Sequence, residues 1–322
     1  MSSPLARDHA WLPRASCDTS CLQAGGPDAS GRLIVALRVT LRVSLGLLLA
    51  PALLLVSLPL PGRSRARRFY CRLMLWCLGV RITVSGGPIR NLPGVLVVSD
   101  HMSWLDIVTI GAVLPTSRWR AAPASFVGRA DVAANLVVRM MTFIIKVIPI
   151  ERASLRQLPG VVDAVAARLR AGQTVVAFPE GTTWCGLPRD NAACEAGPPG
   201  DDAGRAAARG GAGQYHRAAG PFYPAMFQAA VDSGRPVQPL RLRYHHRDGR
   251  VSTVPAYIGD DTLLRSIGRL LVARRTVARV YVESLQLPGA DRRELARRCQ
   301  AAIRTTAAPH PGHGPRRPVL AS

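Results

Sequence analysis

Apolar and polar positions follow two regimes along the chain. From Val43 to Gly62 the stretch VSLGLLLAPALLLVSLPLPG carries no charge for 20 residues, enough helix at 1.5 Å per residue to cross a hydrocarbon core of about 30 Å. Further on, short apolar runs alternate with helix-period segments. Val95 to Ser99, Ile144 to Ile150, Thr174 to Phe178, Val237 to Leu242 and Val277 to Val282 read as strands. Trp104 to Val113, Leu155 to Arg170, Ala225 to Asp232 and Arg292 to Arg304 read as helices. This alternation predicts a three-layer α/β domain with a mostly parallel sheet. In such sheets functional residues collect beyond the carboxyl ends of strands, the position that His101 and Glu180 occupy here.

The same pattern sets the domain limits. Residues 1–31 are rich in Ser, Gly, Pro and Asp and are expected to be a disordered tail. Residues 32–80 form a membrane-associated helical segment, 81–306 the α/β domain with a low-complexity insertion at about 188–220, and 307–322 a second disordered tail. A signal peptide would end at a small-residue cleavage site, whereas this apolar stretch runs straight into RSRARR. Arg63, Arg65, Arg67 and Arg68 suit anionic lipid at a cytoplasmic surface, although Arg32, Arg38 and Arg42 make the other flank basic too. Pro51 also permits a broken helix, so the reading is an N-terminal membrane helix or a re-entrant helical hairpin.

The formal charge of +22 points to anionic partners, but Lys146 is the one lysine, and an excess of Ala, Gly, Pro and Arg of compositional origin competes with selection for binding. An aromatic fraction of 5% and the lack of any nucleic-acid motif leave little scope for base stacking, so no nucleic-acid partner is expected. The seven cysteines show no C-x-x-C pairing. Cys17 and Cys21 lack further ligands at metal-site spacing, and neither a metal site nor a disulfide framework is expected.

Four stretches carry candidate chemistry. In SDHMSWLD, 99–106, His101 and Asp106 are five apart, roughly 140° around a helix, and cannot meet on one helical face. Ser103 followed by Asp106 ahead of an apolar run resembles a capping box, which places His101 in the preceding turn, free to fold back onto the carboxylate. Two roles are open for the pair: a proton relay, with Asp106 fixing the tautomer of a basic imidazole, or a helix cap beside an ordinary turn. In TVVAFPEGTTW, Thr174 to Trp184, Pro179 ends a strand and Gly181 permits a tight turn, so Glu180, Thr182 and nearby amides could hold a polar headgroup. IPIER places Arg152 at a strand end, where its guanidinium suits a phosphate. In SGRPVQPLRLRY, Ser233 to Tyr244, the run Pro236 to Leu242 reads as a buried strand entered through a tight turn, with plain core as the alternative role.

In this order and spacing, the H-x4-D pair, the arginine block, F-P-E-G-T and the later V-x-P strand resemble the glycerolipid acyltransferase family, in particular bacterial 1-acyl-sn-glycerol-3-phosphate acyltransferases, over roughly Arg32 to Thr305 without the insertion. The resemblance implies a glycerolipid-acyltransferase-like fold, a bacterial inner (cytoplasmic) membrane location with the site facing the cytoplasm, and no cofactor. Acyl-CoA or acyl-carrier protein would be the co-substrate, membrane phospholipid the setting and a lysophospholipid the acceptor. It implies His101 as general base, Asp106 as its orienting partner, Arg152 on the acceptor phosphate, and Glu180, Gly181 and Thr182 shaping the acceptor site. The first-choice acceptor is 1-acyl-sn-glycerol 3-phosphate, giving phosphatidate. Because Pro221 to Tyr244 and Tyr257 to Leu264 resemble a broader proteobacterial branch, another lysolipid such as lyso-ornithine lipid is the alternative.

Three positions depart from the family pattern: Asp100, where an amide or small residue is common; Cys185, where an acidic residue often precedes Gly186; and PIER in place of an FIDR-type block. A lipid hydrolase would need a placed nucleophile, and no G-x-S-x-G occurs. A non-catalytic basic membrane-binding protein is the third reading.

Overall fold

The structure, a computed structural model, describes residues 13, 15, 17, 21–22, 31–58, 62–89, 92–115, 124–129, 147–150, 155–186, 219–259 and 261–304. Arg152, most of the 188–220 insertion and the 307–322 tail lie outside the described residues.

Two helices lead the chain: α1 (Arg32–Ser57) and α2 (Arg63–Cys77). The strands β1 (Val80–Gly86), β2 (Leu96–Ser99), β3 (Ser125–Arg129), β4 (Ile148–Ile150), β5 (Val175–Ala177), β6 (Val237–His246) and β7 (Thr276–Val282) follow. Interleaved with them are α3 (Leu105–Val113), α4 (Leu158–Arg170), α5 (Ala225–Ser233), α6 (Leu263–Val272) and, last, α7 (Arg292–Arg304). Among the described residues the strands form one sheet in the order β1-β7-β6-β2-β5-β3-β4. Neighbours run parallel except β6 and β7, which pair antiparallel from Leu240↔Val282 to His246↔Thr276.

Alternation along the central strands builds the layers. Leu96 and Val98 of β2, with Val175, Ala177 and Val237, face α4, α5 and α7 through Leu169, Phe227 and Leu295. Val97, Val176, Leu240, Leu242 and Val280 face the other way, onto Leu75 of α2, Leu105 and Ile110 of α3 and Leu270 of α6. Strands buried on both sides need unbroken apolar runs, which is why LVVS and VVA were readable as strands.

The sequence pattern missed β1 and β3. β1 is an edge strand in which Val80 alone is buried, so it lacks the apolar signal of a core strand. β3 has five residues interrupted by Gly128 and owes its conformation to pairing with β4 and β5. α6 was missed too, and β6 extends four residues beyond its expected end because β7 supplies a partner.

α1 is shifted toward the N-terminus relative to the expected Val43 to Gly62 segment and takes in Arg38 and Arg42. Both arginines face carbonyls at the end of α6. Arg42 donates to Leu270, Leu271 and Ala273 at 2.7 to 3.2 Å and to Arg274 at 3.0 Å, and Arg38 donates to Val272. The carbonyls of Leu270, Leu271 and Val272 belong to the last turn, which leaves them no partner within the helix, and the negative end of the helix dipole favours a cation beside them. The approach needs Gly79, whose φ is +73° and whose site a Cβ would fill against the Arg42 guanidinium.

Beyond this clamp α1 is largely bare: Leu47, Leu48 and Leu55 are more than half exposed. By length and composition it is the one helix among the described residues able to cross a membrane. It packs on α2 through Leu53 against Tyr70 and Met74, forming a helical hairpin. Part of the RSRARR block turns inward, since Arg68 donates to the Ala112 carbonyl at the end of α3, as does Arg72 one turn later.

Five residues before Gly31, in the segment expected as a tail, are described: 13, 15, 17, 21 and 22. Cys17 and Cys21 are buried against Cys185 and Ile258, with Leu22 and Ala15 beside them. Local composition could not show this, because the apolar partners lie far along the chain.

Arg42→Ala should lower unfolding stability by about 1–3 kcal/mol, the cost of leaving helix-end carbonyls without donors. Arg265→Ala, at an exposed position of α6, should stay within about 0.5 kcal/mol. Thermal unfolding followed by circular dichroism in detergent compares the two, and equal shifts would rule out the clamp.

Candidate active site

β2 and β5 are adjacent and parallel, so the loops leaving their carboxyl ends lie side by side. The first carries His101 and the second Phe178 to Trp184. Helix α3 begins directly after the first loop and puts Asp106 in its first turn. His101 thus lies outside the helix, as the five-residue spacing requires.

The cap differs in detail from the expected box. Ser103 Oγ accepts from the Leu105 N–H, and Trp104 stands at the helix boundary. The Asp106 carboxylate nevertheless reaches back over the turn. Its Oδ2 accepts from the N–H of Met102 at 2.7 Å, the N–H of Ser103 at 2.8 Å and His101 Nδ1 at 2.9 Å. Its Oδ1 accepts from the Tyr244 hydroxyl at 2.8 Å. Two amides and a phenol donate to this group, so it acts as an ionised acceptor and the imidazole donates through Nδ1–H. That tautomer leaves Nε2 with the basic lone pair.

Asp106 is fully buried, whereas the His101 side chain is 17% exposed. The imidazole stacks on Phe178, ring centroids 4.0 Å apart and planes 16° from parallel, which holds its orientation from the second loop. Tyr244 lies outside the candidate site residues that the sequence pattern singles out. Burial and the neighbouring Asp106 carboxylate push its phenol well above the ordinary value, so it stays a donor. The available signal was a buried tyrosine in a Leu-rich strand, since a buried hydroxyl requires a partner.

Glu180 faces inward. Its Oε2 accepts the His101 backbone N–H at 3.0 Å, and Oε1 lies 3.8 Å from Arg304 Nη2 at the end of α7. Burial pushes this carboxyl up to about 8, against the opposing pull of the His101 N–H and the Arg304 charge. Gly181 turns with φ +70°, and a Cβ there would lie 2.7 Å from Pro13 Cγ, so the N-terminal segment passes against this turn. Thr182 is half-buried on the same turn.

Backbone bonds lock the loops together. The Trp184 N–H donates to the His101 carbonyl at 2.8 Å, and the Tyr257 N–H to the Met102 carbonyl at 2.9 Å. Asp100, the unusual residue before the histidine, accepts from the Leu242 N–H at 3.1 Å and pairs with Arg243. The departure at Asp100 is thus matched by an arginine on β6, as a buried carboxylate demands.

An oriented imidazole with a basic Nε2 at the mouth of a parallel sheet can remove a proton from a hydroxyl. The sequence pattern of the Acyltransferase family matches residues 81–243, which span β1 to β6. The chain is 29% identical over 254 residues to the lyso-ornithine lipid O-acyltransferase of Pseudomonas aeruginosa, covering 77% of this chain and 82% of that one. It is 28% identical over 219 residues to the 1-acyl-sn-glycerol-3-phosphate acyltransferase of Neisseria meningitidis, covering 68% and 71%. The crystal structure of the 1-acyl-sn-glycerophosphate acyltransferase PlsC from Thermotoga maritima has the same fold, with a TM-score of 0.50 at 16% identity over 84% of this chain and 93% of that one. The match over residues 81–243, half of the chain, makes this protein an enzyme of the acyltransferase family.

Proposed function

We propose that the protein transfers a fatty acyl group from a thioester donor, acyl-CoA or acyl-carrier protein, to the free hydroxyl of a lysolipid. The observation carrying this reading is the His101 Nδ1 contact with Asp106, which leaves Nε2 as a base beside the Phe-Pro-Glu-Gly-Thr turn. Nε2 takes the hydroxyl proton as the oxygen attacks the thioester carbonyl. The tetrahedral intermediate collapses, the C–S bond breaks, and the imidazolium returns the proton to the departing thiolate. Asp106 stabilises the imidazolium in between, and no acyl-enzyme is needed. Glu180 acts as a positioning residue through the His101 amide, with Gly181 and Thr182 on the acceptor side of the same turn.

The first reading of the acceptor is 1-acyl-sn-glycerol 3-phosphate, giving phosphatidate, with Arg152 holding the phosphate. The second is lyso-ornithine lipid, favoured by the larger share of the chain that aligns with the Pseudomonas relative. The bare apolar face of α1 supports a site held at a membrane, which we place as the inner membrane with the site toward the cytoplasm.

Purified full-length protein in detergent and lipid, supplied with mixed lysolipids and both donor types, should yield an acylated lysolipid by mass spectrometry. Acyl release into water without an acceptor would instead mark a hydrolase. Arg152→Ala should raise the apparent KM for a phosphate-bearing acceptor much more than that for the donor, and equal effects would remove Arg152 from the acceptor site.

His101→Ala should lower kcat by about 10²–10⁴-fold with membrane recovery unchanged. Tyr244→Phe should cost about 10–100-fold in kcat, the value of one hydrogen bond to a charged group, with both KM values nearly unchanged. A change confined to KM would place Tyr244 in packing alone.

Glu180 gives stability a pH slope. Between its ordinary value of 4.5 and about 8, the folded carboxyl keeps a proton that the unfolded one has lost. Stability should therefore fall as pH rises through this window, by up to about 1.4 kcal/mol per unit. Glu180→Gln keeps an acceptor for the His101 N–H and removes the titration. Unfolding at pH 5 and pH 8 should show a smaller loss in the variant, and identical slopes would deny the buried carboxyl this role.

A further inference from the structure

Cys17, Cys21 and Cys185 meet in a buried cluster beside the loop that carries the Phe-Pro-Glu-Gly-Thr turn. Their sulfurs all lie within 4.8 Å of one another, with Cys17 Sγ 3.3 Å from Cys185 Sγ. All three are buried, at 8%, 1% and 0% exposure. The Cys185 N–H points at Cys17 Sγ from 3.4 Å, and Ile258, Leu22, Trp184 and Val251 form apolar walls. Spacing alone offered Cys17 and Cys21; the fold brings the third sulfur from 168 residues beyond Cys17.

We propose that Cys17, Cys21 and Cys185 form a thiolate site for one soft divalent ion of the zinc class, tying the N-terminal segment to the loop that carries the Phe-Pro-Glu-Gly-Thr turn. Sulfurs bound tetrahedrally about 2.3 Å from one ion lie about 3.8 Å apart, inside the observed spread. A donor set of sulfur selects zinc-class ions over magnesium or calcium, which take oxygen. A backbone N–H aimed at a sulfur steadies its thiolate form, as outer partners do at metal sites. Three protein ligands leave one position to water. A disulfide would consume two of the three thiols and require an external oxidant, whereas a metal uses the whole set.

Coordination replaces three S–H bonds by three S–metal bonds and releases three protons at neutral pH. Its structural effect would fall on the catalytic loop. Cys185 follows Trp184, whose N–H holds the His101 carbonyl, and Pro13 lies against Gly181. The site stands whether or not the acceptor is a lysolipid.

Cobalt(II), a spectroscopic stand-in for zinc, tests it on full-length protein purified with reductant and stripped by chelator. One equivalent should give a thiolate-to-cobalt charge-transfer band in the near ultraviolet and intense tetrahedral bands in the visible. One equivalent of zinc should bleach them. About three protons should be released per ion, read with a pH dye. Cys17→Ser, Cys21→Ser and Cys185→Ser should each weaken cobalt binding by more than the about 10–100-fold that outer partners are worth, and Cys71→Ser should not. No charge-transfer band in the unsubstituted protein would overturn the proposal, as would equal binding by the triple variant. Recovery of a Cys17–Cys185 disulfide peptide from protein that takes up no metal would also overturn it.

Discussion

A buried carboxylate needs donors on both oxygens, and Asp106 obtains four of them. Removing such an ion from water costs several kcal/mol even after relaxation. Hydrogen bonds to a charged group contribute about 1.5–3 kcal/mol each, so four are of the size required to offset it. The first turn of α3 adds the positive end of a helix dipole, worth about 0.3–1 kcal/mol. Satisfying this one charge therefore sets the path of the β2–α3 loop, the His101 tautomer and the distance between that loop and β6, through Tyr244. The Phe-Pro-Glu-Gly-Thr loop is held to the same centre from the other side by the Glu180 and Trp184 bonds to the His101 backbone. Remove the carboxylate and the β2–α3 loop and β6 lose their common anchor, and the Phe-Pro-Glu-Gly-Thr loop loses the fixed His101 backbone it is bonded to.

This dependence explains which parts of the site were legible in the sequence. His101 and Asp106 could be paired because the helix period forbids them one face and a cap-like turn permits the contact. The central strands could be read because burial on both faces demands unbroken apolar runs. Tyr244 could not, since period-two alternation says which face a strand residue occupies and nothing about what its hydroxyl meets across the sheet. The headgroup role inferred for Glu180 came from its turn, whereas its inward contacts with the His101 amide and Arg304 depend on α7 arriving from the far end of the chain. Cys185 gave no sign of its sulfur neighbours for the same reason. β1 and β3 stayed hidden because an edge strand and a five-residue strand owe their conformation to partners.

The basic excess also takes on a different meaning. Arg38 and Arg42 sit on the carbonyls ending α6, Arg68 and Arg72 on Ala112 at the end of α3, and Arg235 on Pro93 and Arg170. Arg269 holds Ala256 together with Asp261, and Arg304 holds Gly220. Guanidinium offers five donors in a rigid fork, suited to several carbonyls at once. A sizeable part of the +22 charge is thus spent on closing helix ends and loops, so net charge alone overstates what is available to anionic lipid.

The same arginines couple the apolar hairpin to the turn that carries His101. α2 caps the end of α3 through Arg68 and Arg72, and the opposite end of α3 carries Asp106. At 1.5 Å per residue, nine residues separate the two ends by about 14 Å of rigid helix. α1 is fixed to α6 by Arg42, and α6 reaches the site loop through the Trp104 indole, which donates to Ser266 Oγ at 3.1 Å. Two stiff connections therefore run from the hairpin to the turn around His101. A hairpin seated in lipid would fix both the height and the tilt of the imidazole above the bilayer. The helix-end arginines thus tie the apolar hairpin, through α3 and α6, to the turn that carries His101.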